Sequence, residues 1–505
     1  MPREDRSPLL KPSPFLKDLI LTQATAVCTV VVLIFVTRFL AQGLGPEKFG
    51  VYSLARRMLT AVVPFATLAM GVALTRYAAL SGKGRAGFPF FLGGLILGVG
   101  PSLVIFAAGV IFSRQVSAAV FGHERYRDVT MAAMFMVPGY ALYTVLYSYY
   151  RGTDRMRRAN LWQLGVIVLV PLVVAAAYAK SGRVALIVFL MGAACYVAAV
   201  PLILRLVRGL MSSGAAHGTG PALRALLRYG LPRVPGAFAA AGLFAAAPFL
   251  AWYLVGVREA GFLVAAQSLM IVTQGGMDAF ALVALPKVAK LFADGHEDLI
   301  RGGVGNIIAF AFHVGIFAVL HLALWSDWIV LLWLGPDYRG AIVAFRITAV
   351  AVMPYAAFVM LRAMIDAVEE KAVNTRNLIM SLATAVAAAA ILGVLGLGTA
   401  GLATGTALGF LVLGLSTVSY LWRRFRIERQ VLLTKWVVLL NTGLILCAWA
   451  VKWLLDEQGR GLWILAGAVL SEAVFIGVYF FVLRQLKTGW ISELEKRLVS
   501  RRSTG

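Results

Sequence analysis

The sequence predicts an all-α polytopic membrane protein with about fourteen transmembrane helices, in two pseudo-symmetric six-helix lobes followed by two further helices. Three observations predict it. The 505 residues are 60% apolar and only 14% charged, against roughly 45–50% and about 25% in an ordinary soluble domain. Apolar runs of 18 to 28 residues follow one another almost from end to end, and about 20 such residues cross the hydrocarbon core. The basic residues concentrate in every second short loop, as they do when cytoplasmic loops alternate with external ones. Soluble enzymes, secreted proteins and disordered chains are excluded on composition.

Runs bounded by Gly, Pro and charge clusters place the spans in order. The first six are 17–42, 48–80, 88–112, 129–150, 160–180 and 184–206. A polar stretch from Arg208 to Arg228 separates them from 229–255, 259–290, 304–325, 340–365, 376–397 and 400–422. The last of these divisions rests only on Gly398-Thr399. Spans 435–455 and 461–484 complete the set. The N-terminal arm, every second loop and the C-terminal tail hold 32 Lys and Arg, and the alternate loops hold 10. Both termini are therefore expected in the cytoplasm. An odd number of spans would break this alternation. The first run is long enough for an uncleaved signal anchor, with no short h-region and small-residue cleavage site before it.

The net charge of +24 would suggest nucleic acid in a soluble chain; here topology accounts for it and no nucleic-acid partner is expected. Cys28, Cys195 and Cys447 stand alone in apolar segments, which argues against disulfides or a thiolate metal site. They read as small buried hydrophobes. No metal cluster, P-loop or nucleophile–base pattern is visible, so the chain is not expected to be an enzyme. Any energy coupling would come from an ion gradient, H⁺ or Na⁺, or from consumption of the product.

An internal repeat organises the spans. The segment Leu44-Gly-Pro-Glu-Lys-Phe-Gly-Val-Tyr-Ser-Leu-Ala55 recurs as Val255-Gly-Val-Arg-Glu-Ala-Gly-Phe-Leu-Val-Ala-Ala266. One offset aligns Gly45 with Gly256, Gly50 with Gly261, Ala55 with Ala266, Arg76 with Lys287 and Lys17 with Arg228. With slight drift, Val137-Pro-Gly-Tyr140 matches Met353-Pro-Tyr355. The repeats start six spans apart and so share one topology, the arrangement of transporters built from parallel repeats, with substrate between the halves. The expected domains are a lobe at 1–207, a cytoplasmic connector at 208–228, a second lobe at 229–422, appended helices within 423–484 and a basic tail at 485–505.

Arg38 and the run Leu44-Gly-Pro-Glu-Lys-Phe-Gly-Val-Tyr-Ser-Leu54, with Tyr229-Gly-Leu-Pro232 opening the second half, resemble the signatures of Wzx-type polysaccharide flippases of the multidrug/oligosaccharidyl-lipid/polysaccharide (MOP) exporter superfamily. The resemblance covers nearly the whole chain as topology and two short motifs as sequence. It implies two six-helix lobes around a central cavity, alternating access, and an undecaprenyl-diphosphate-linked oligosaccharide as cargo. It further implies the bacterial inner membrane, membrane lipids as surroundings, and a polysaccharide polymerase and chain-length regulator as partners. The Arg- and Glu-rich segment expected of lipid II flippases near the start of span two is absent. A MATE-like efflux antiporter for organic cations is the alternative. It would want carboxylates in its cavity, whereas intramembrane cations outnumber acids here. A membrane enzyme or scaffold acting on the same lipid is a third reading, disfavoured by the repeat.

Ionisable residues within spans are costly and mark function by default. Arg38, Arg56, Arg57 and Arg346 are expected on the outer half of the bundle with no carboxylate at their depth; guanidinium forks there would match a diphosphate, and snorkelling is the ordinary alternative. Arg76, Lys287, Arg233 and Arg362 lie at the inner ends of their spans and could receive the diphosphate, or merely reflect topology. Asp366, one turn from Arg362, is expected to pair with it. Asp278 is the candidate for ion coupling. Glu472, in the appended pair, and His313 and His321 in span nine read as packing or helix-contact residues. Tyr140, Tyr143, Tyr147 and Tyr150 form one stripe on span four, suited to stacking on sugar rings or to an interfacial belt. Gly401, Gly405 and Gly409 read as a close helix contact.

Overall fold

The computed structural model describes residues 14–81, 87–211, 218–293, 295–369, 372–457 and 462–492. All fourteen apolar runs are helical, and no strand occurs among the described residues. Helix is the form that satisfies every backbone donor and acceptor within one lipid-embedded segment. Eleven helices are long and apolar enough to cross a membrane among the residues searched, and a bent pair makes a twelfth. One of the eleven, Ala24–Ala66, is 43 residues long and joins most of the first expected span to the first part of the second.

Helix α1 (Pro14–Ala66) kinks at Gly45, where φ is 72° and ψ 168°. A side chain is strained at that φ, and Pro46 follows with a ring already set for a first helical turn. The Leu-Gly-Pro-Glu signature is therefore the turn between two spans. Its repeat partner Gly256 has φ 146° and immediately precedes a helix beginning at Val257. The internal repeat thus marks the same link twice.

After a break at Leu68 and Ala69, both at positive φ, come α2 (Met70–Leu80), α3 (Phe88–Ile111), α4 (Ser113–Phe121) and α5 (Arg127–Gly152). Span five is α6 (Met156–Gln163), a π-helical stretch Leu164–Leu169 and α7 (Val170–Tyr178); α8 (Val184–Met211) is span six. Next are α9 (Thr219–Gly230) and α10 (Val234–Leu254), joined by a 3₁₀ turn. The chain divides into two compact units, Met1–Ala241 and Gly242–Gly505.

In the first unit α5 is the hub, packed by α1, α2, α3 and α8. Of its apolar window 78% is buried, against 22% for α3, whose Val104 and Ile111 are left on the outside. Large apolar side chains on the rim suit a lipid solvent. The core gathers Met70, Leu74, Phe88, Phe91, Leu146 and Tyr149. The expected connector is partly an element of this unit: α9 buries Ala222 and Leu226 against α2 and α3.

The second unit holds α11 (Val257–Ala293), α12 (Glu297–Leu324), α13 (Ser326–Trp333), α14 (Ala341–Val350), α15 (Val352–Val368), α16 (Val373–Val394), α17 (Gly398–Phe425), α18 (Thr434–Glu457) and α19 (Leu462–Gln485). Here α15 is the hub, packed by α11, α12 and α17. It is the fourth span of its repeat, as α5 is of the first, and the matched prolines Pro138 and Pro354 lie one in each hub. Helices α14 and α15 make the bent pair, at 46°. The uncertain division at Gly398 is real, with Gly396 and Gly398 at φ 78° and 52° turning α16 into α17. The glycine stripe is a packing stripe: a Cβ on Gly409 would stand 2.5 Å from that of Ala385. Of the three thiols only Cys195 is buried. Cys28 and Cys447 are exposed instead, each on a helix whose apolar window is only 22% buried, so that most of the helix surface has no protein to cover it.

Candidate functional site

The tightest convergence of expected site residues is at the junction of α2, α9 and the turn into α10. Gly230 lets α9 approach the break before α2; a Cβ there would meet Leu68 O at 2.5 Å. Tyr229 is thereby fixed beside Tyr77, edge to face at 5.9 Å, and Tyr77 stacks on Phe90 at 5.3 Å. Two arginines then share the Tyr229 ring. The Arg76 guanidinium lies 4.8 Å from its centroid and that of Arg233 3.7 Å, and Arg233 Nη1 donates to Tyr229 O at 2.8 Å. Both arginines are exposed, and no described carboxylate pairs with either. Their free N–H groups form a cationic patch on an aromatic anchor, suited to an anion with several oxygens. Each arginine was legible in the sequence; Tyr229, part of the Tyr-Gly-Leu-Pro motif, was not recognised as their common support.

Of the outer arginines, Arg56 is half-buried and donates from Nη1 to Met136 Sδ at 3.6 Å, a weak acceptor. It acts electrostatically on Tyr52, Tyr140 and Cys195, and no described carboxylate pairs with it. Arg57 is half-buried and Arg38 exposed. Tyr140 and Tyr143 sit 5.5 Å apart, Tyr143 and Tyr147 stack at 5.7 Å, and Tyr143 stacks on Trp162 at 6.1 Å. Tyr147 donates to Gln163 Oε1 at 3.0 Å. The stripe exists, but Tyr143 is 6% exposed within the core of the unit, with Tyr140 and Tyr147 at its edge.

Arg346, in the second unit, corrects one expectation. Its Nε donates to Ser326 Oγ at 2.7 Å, and it lines a pocket of about 330 Å³ with Trp449, Lys452, Trp453 and Asp456. A carboxylate does share its neighbourhood, because α18 folds back against α12. Lys452 Nζ reaches Asp327 Oδ2 at 3.2 Å and Asp456 Oδ2 at 2.6 Å, and Trp328 Nε1 donates to Asp456 Oδ1 at 2.7 Å. Sequence reasoning missed this network. Its signal was an intramembrane Lys452 four residues before Asp456, an ion-pair spacing on one helix face.

Arg362 lies 5.9 Å from the Phe358 centroid. Asn374 Nδ2 donates to Arg362 O at 2.9 Å and to Asp366 Oδ1 at 2.8 Å, so it ties the one-turn pair together. Asp278 and Lys287 fall on α11, and their side chains lie outside the described residues. Glu472 makes a helix–helix contact, accepting from His321 Nδ1 at 2.8 Å and from Trp325 Nε1 at 2.5 Å. His313 Nε2 bonds Leu432 O at 2.8 Å, and Trp490 Nε1 donates to His313 Nδ1 at 3.1 Å.

No protein-family model matches the chain, and no curated protein matches it in sequence. Solved structures share its fold. An inward-facing multidrug resistance MATE family transporter of the MOP superfamily superposes with TM-score 0.64 at 15% identity, over 81% of this chain and 98% of that one. The lipid II flippase MurJ, in an inward closed conformation, gives 0.62 at 13%, over 92% and 99%. A MOP superfamily transporter from Pyrococcus furiosus, described by the reversed polarity of its binding pocket, gives 0.58 at 16%, over 83% and 97%. The chain therefore has the helical fold of MOP superfamily transporters.

Proposed function

We propose that this protein is a flippase that carries an undecaprenyl-diphosphate-linked oligosaccharide repeat unit across the bacterial inner membrane by alternating access, for O-antigen or exopolysaccharide and capsule synthesis. One observation carries the reading: Arg76 and Arg233 flank Tyr229 with no described carboxylate to neutralise them. A diphosphate supplies the oxygens that two guanidinium forks can bind, and the first, cytoplasmic encounter with the headgroup would occur there. The half-buried Arg56 beside Tyr140 offers a second cation deeper in the same unit. The likeness in fold to a lipid II flippase supports a lipid-linked cargo, and the Wzx-like Leu-Gly-Pro-Glu and Tyr-Gly-Leu-Pro segments support a sugar one.

The test is thermal stabilisation of the purified protein by undecaprenyl diphosphate, with undecaprenyl monophosphate and a lipophilic cation as comparators. A ligand at a hundred times its dissociation constant stabilises by about 2.7 kcal/mol. A hydrogen bond to a charged group is worth about 1.5–3 kcal/mol. Arg76→Ala/Arg233→Ala should therefore abolish the stabilisation by the diphosphate. Stabilisation that persists in the double variant would remove the headgroup from this site. The MATE-like fold keeps efflux of organic cations as a second reading, and stabilisation by the lipophilic cation alone would establish it in place of the first.

A further inference from the structure

The pocket of about 330 Å³ at Arg346 plays no part in the diphosphate reading above. Trp449, Lys452, Trp453 and Asp456 line it, at spacings of three, one and three residues that put all four on one face of α18. Ala323 and Leu324 from the end of α12 and Arg346 from α14 complete the lining. The pocket thus lies where α12 and α18 both end. The same end gathers Trp325, Trp328 and Ala468 into one core cluster, with Leu455, Ile464 and Leu465 packed against it. Trp449 and Trp453 stay 60% and 54% exposed. Tryptophans collect at the membrane–water boundary, at headgroup level, and that is the depth of the pocket.

The lining is chemically mixed. Arg346 Nε donates to Ser326 Oγ at 2.7 Å, and Ser326 is fully buried, so the guanidinium is held at the pocket wall rather than left to reach for water. Its Nη groups have no described partner, and a guanidinium edge of this kind binds phosphate oxygens. The Lys452 ammonium has three donors. Asp327 Oδ2 at 3.2 Å and Asp456 Oδ2 at 2.6 Å take two of them, and the third remains for a ligand. Asp456 also accepts from Trp328 Nε1, yet its side chain is 40% exposed. A fitting ligand therefore carries a phosphate for Arg346 and Lys452, a small cation for Asp456 and apolar matter for Trp449 and Trp453. Ligand pockets run from about 300 to 1,000 Å³, so this one admits a single headgroup and not a chain of sugar rings.

We propose that this pocket binds the headgroup of a zwitterionic phospholipid that ends in a primary ammonium. The phosphodiester lies on Arg346 and Lys452, the ammonium meets Asp456, and the glycerol and upper acyl chains run along Trp449 and Trp453. The alternation of basic loops assigns this end of the helices to the outer leaflet. The bound lipid joins the appended helix α18 to α12 and α14. This site goes beyond the flippase reading and does not rest on it.

The experiment is native mass spectrometry of the full chain, released from detergent after equilibration with an equimolar mixture of phosphatidylethanolamine and phosphatidylglycerol of the same acyl chains. The wild type should retain phosphatidylethanolamine in preference. Arg346→Gln should weaken that retention about tenfold, equivalent to about 1.4 kcal/mol, and Arg346→Lys, which keeps a charge without the fork, should fall between. Asp456→Asn keeps an acceptor for Trp328 but no charge, and should erase the preference while phosphatidylglycerol is still held. Lys435, beside the exposed Trp436 at the other end of α18, is an interfacial cation outside the pocket, so Lys435→Gln should change neither. Equal retention in the wild type and Arg346→Gln, or an equal loss in Lys435→Gln, overturns the proposal, and a preference that survives Asp456→Asn overturns the ammonium contact. Excess undecaprenyl diphosphate should leave the phospholipid in place; displacement would give the pocket to the cargo and overturn the assignment. Failure here leaves diphosphate binding at Arg76 and Arg233 untouched, and loss of that binding leaves this pocket intact.

Discussion

Gly405 offers a sharp test of the packing of the second unit. On α17 a Cβ at this position would press on the backbone N and Cα of Ala389 in α16. Backbone cannot rotate away as a long side chain can, so Gly405→Ala forces the helices apart or distorts one of them. Overpacking of this kind costs about 1–3 kcal/mol. Replacing a helical glycine by alanine gains up to about 1 kcal/mol in propensity. With the full propensity gain the net expectation is a loss of up to about 2 kcal/mol. Gly443, in the interior of α18, has nothing within 4 Å of its would-be Cβ, so Gly443→Ala should keep the propensity gain alone and raise the unfolding midpoint slightly. Thermal unfolding of the two purified variants beside the wild type, at one scan rate, separates the terms. If Gly405→Ala unfolds at or above the temperature of Gly443→Ala, the close approach of α16 and α17 is refuted.

Two further outcomes follow from the same reasoning. Gly45→Ala meets no atom within 4 Å, so its cost is backbone alone, about 1–3 kcal/mol for a side chain held at φ 72° and ψ 168°, a region open essentially to glycine only; a lowered unfolding midpoint, with unchanged helicity by circular dichroism, checks it. Lys452→Met removes the ammonium that stands 3.2 Å from Asp327, whose side chain is 19% exposed, and 2.6 Å from Asp456, and should destabilise by about 1–3 kcal/mol, below the 3–5 kcal/mol of a fully buried pair. Removing the anion as well, with Asp327→Asn, should recover part of that loss by the same thermal measurement.

Much of the fold was legible because lipid imposes a length and a composition on every span, and no local competitor to the helix exists in that solvent. Gly45 and Gly256 were legible as a repeat because a turn at positive φ admits few residues, which leaves a mark in sequence. Partnerships were harder to read. Glu472 and His321 are 151 positions apart, and nothing local in α12 or α19 announces the other. The pocket at Arg346 depends on α18 folding back across the second unit, a tertiary choice among many apolar faces of similar hydropathy. The Arg76 and Arg233 cations stood out as charges near span ends, but their meeting on Tyr229 follows from the close approach at Gly230. Asp278 and Lys287, named from the sequence, lie outside the side chains the structure describes.

The π-helical stretch Leu164–Leu169 in span five makes the chain there one residue longer than an α-helix of equal rise would need. Wider turns of this kind are single-residue expansions of an α-helix. Losing one residue elsewhere in a span would rotate everything beyond it by about 100°, turning Trp162-like faces away from their neighbours. Losing one within 164–169 would instead let the helix relax to ordinary pitch, keeping Trp162 under Tyr143 and Val174 buried. This span therefore carries slack, a place where chain length can change by one residue while both ends keep their neighbours.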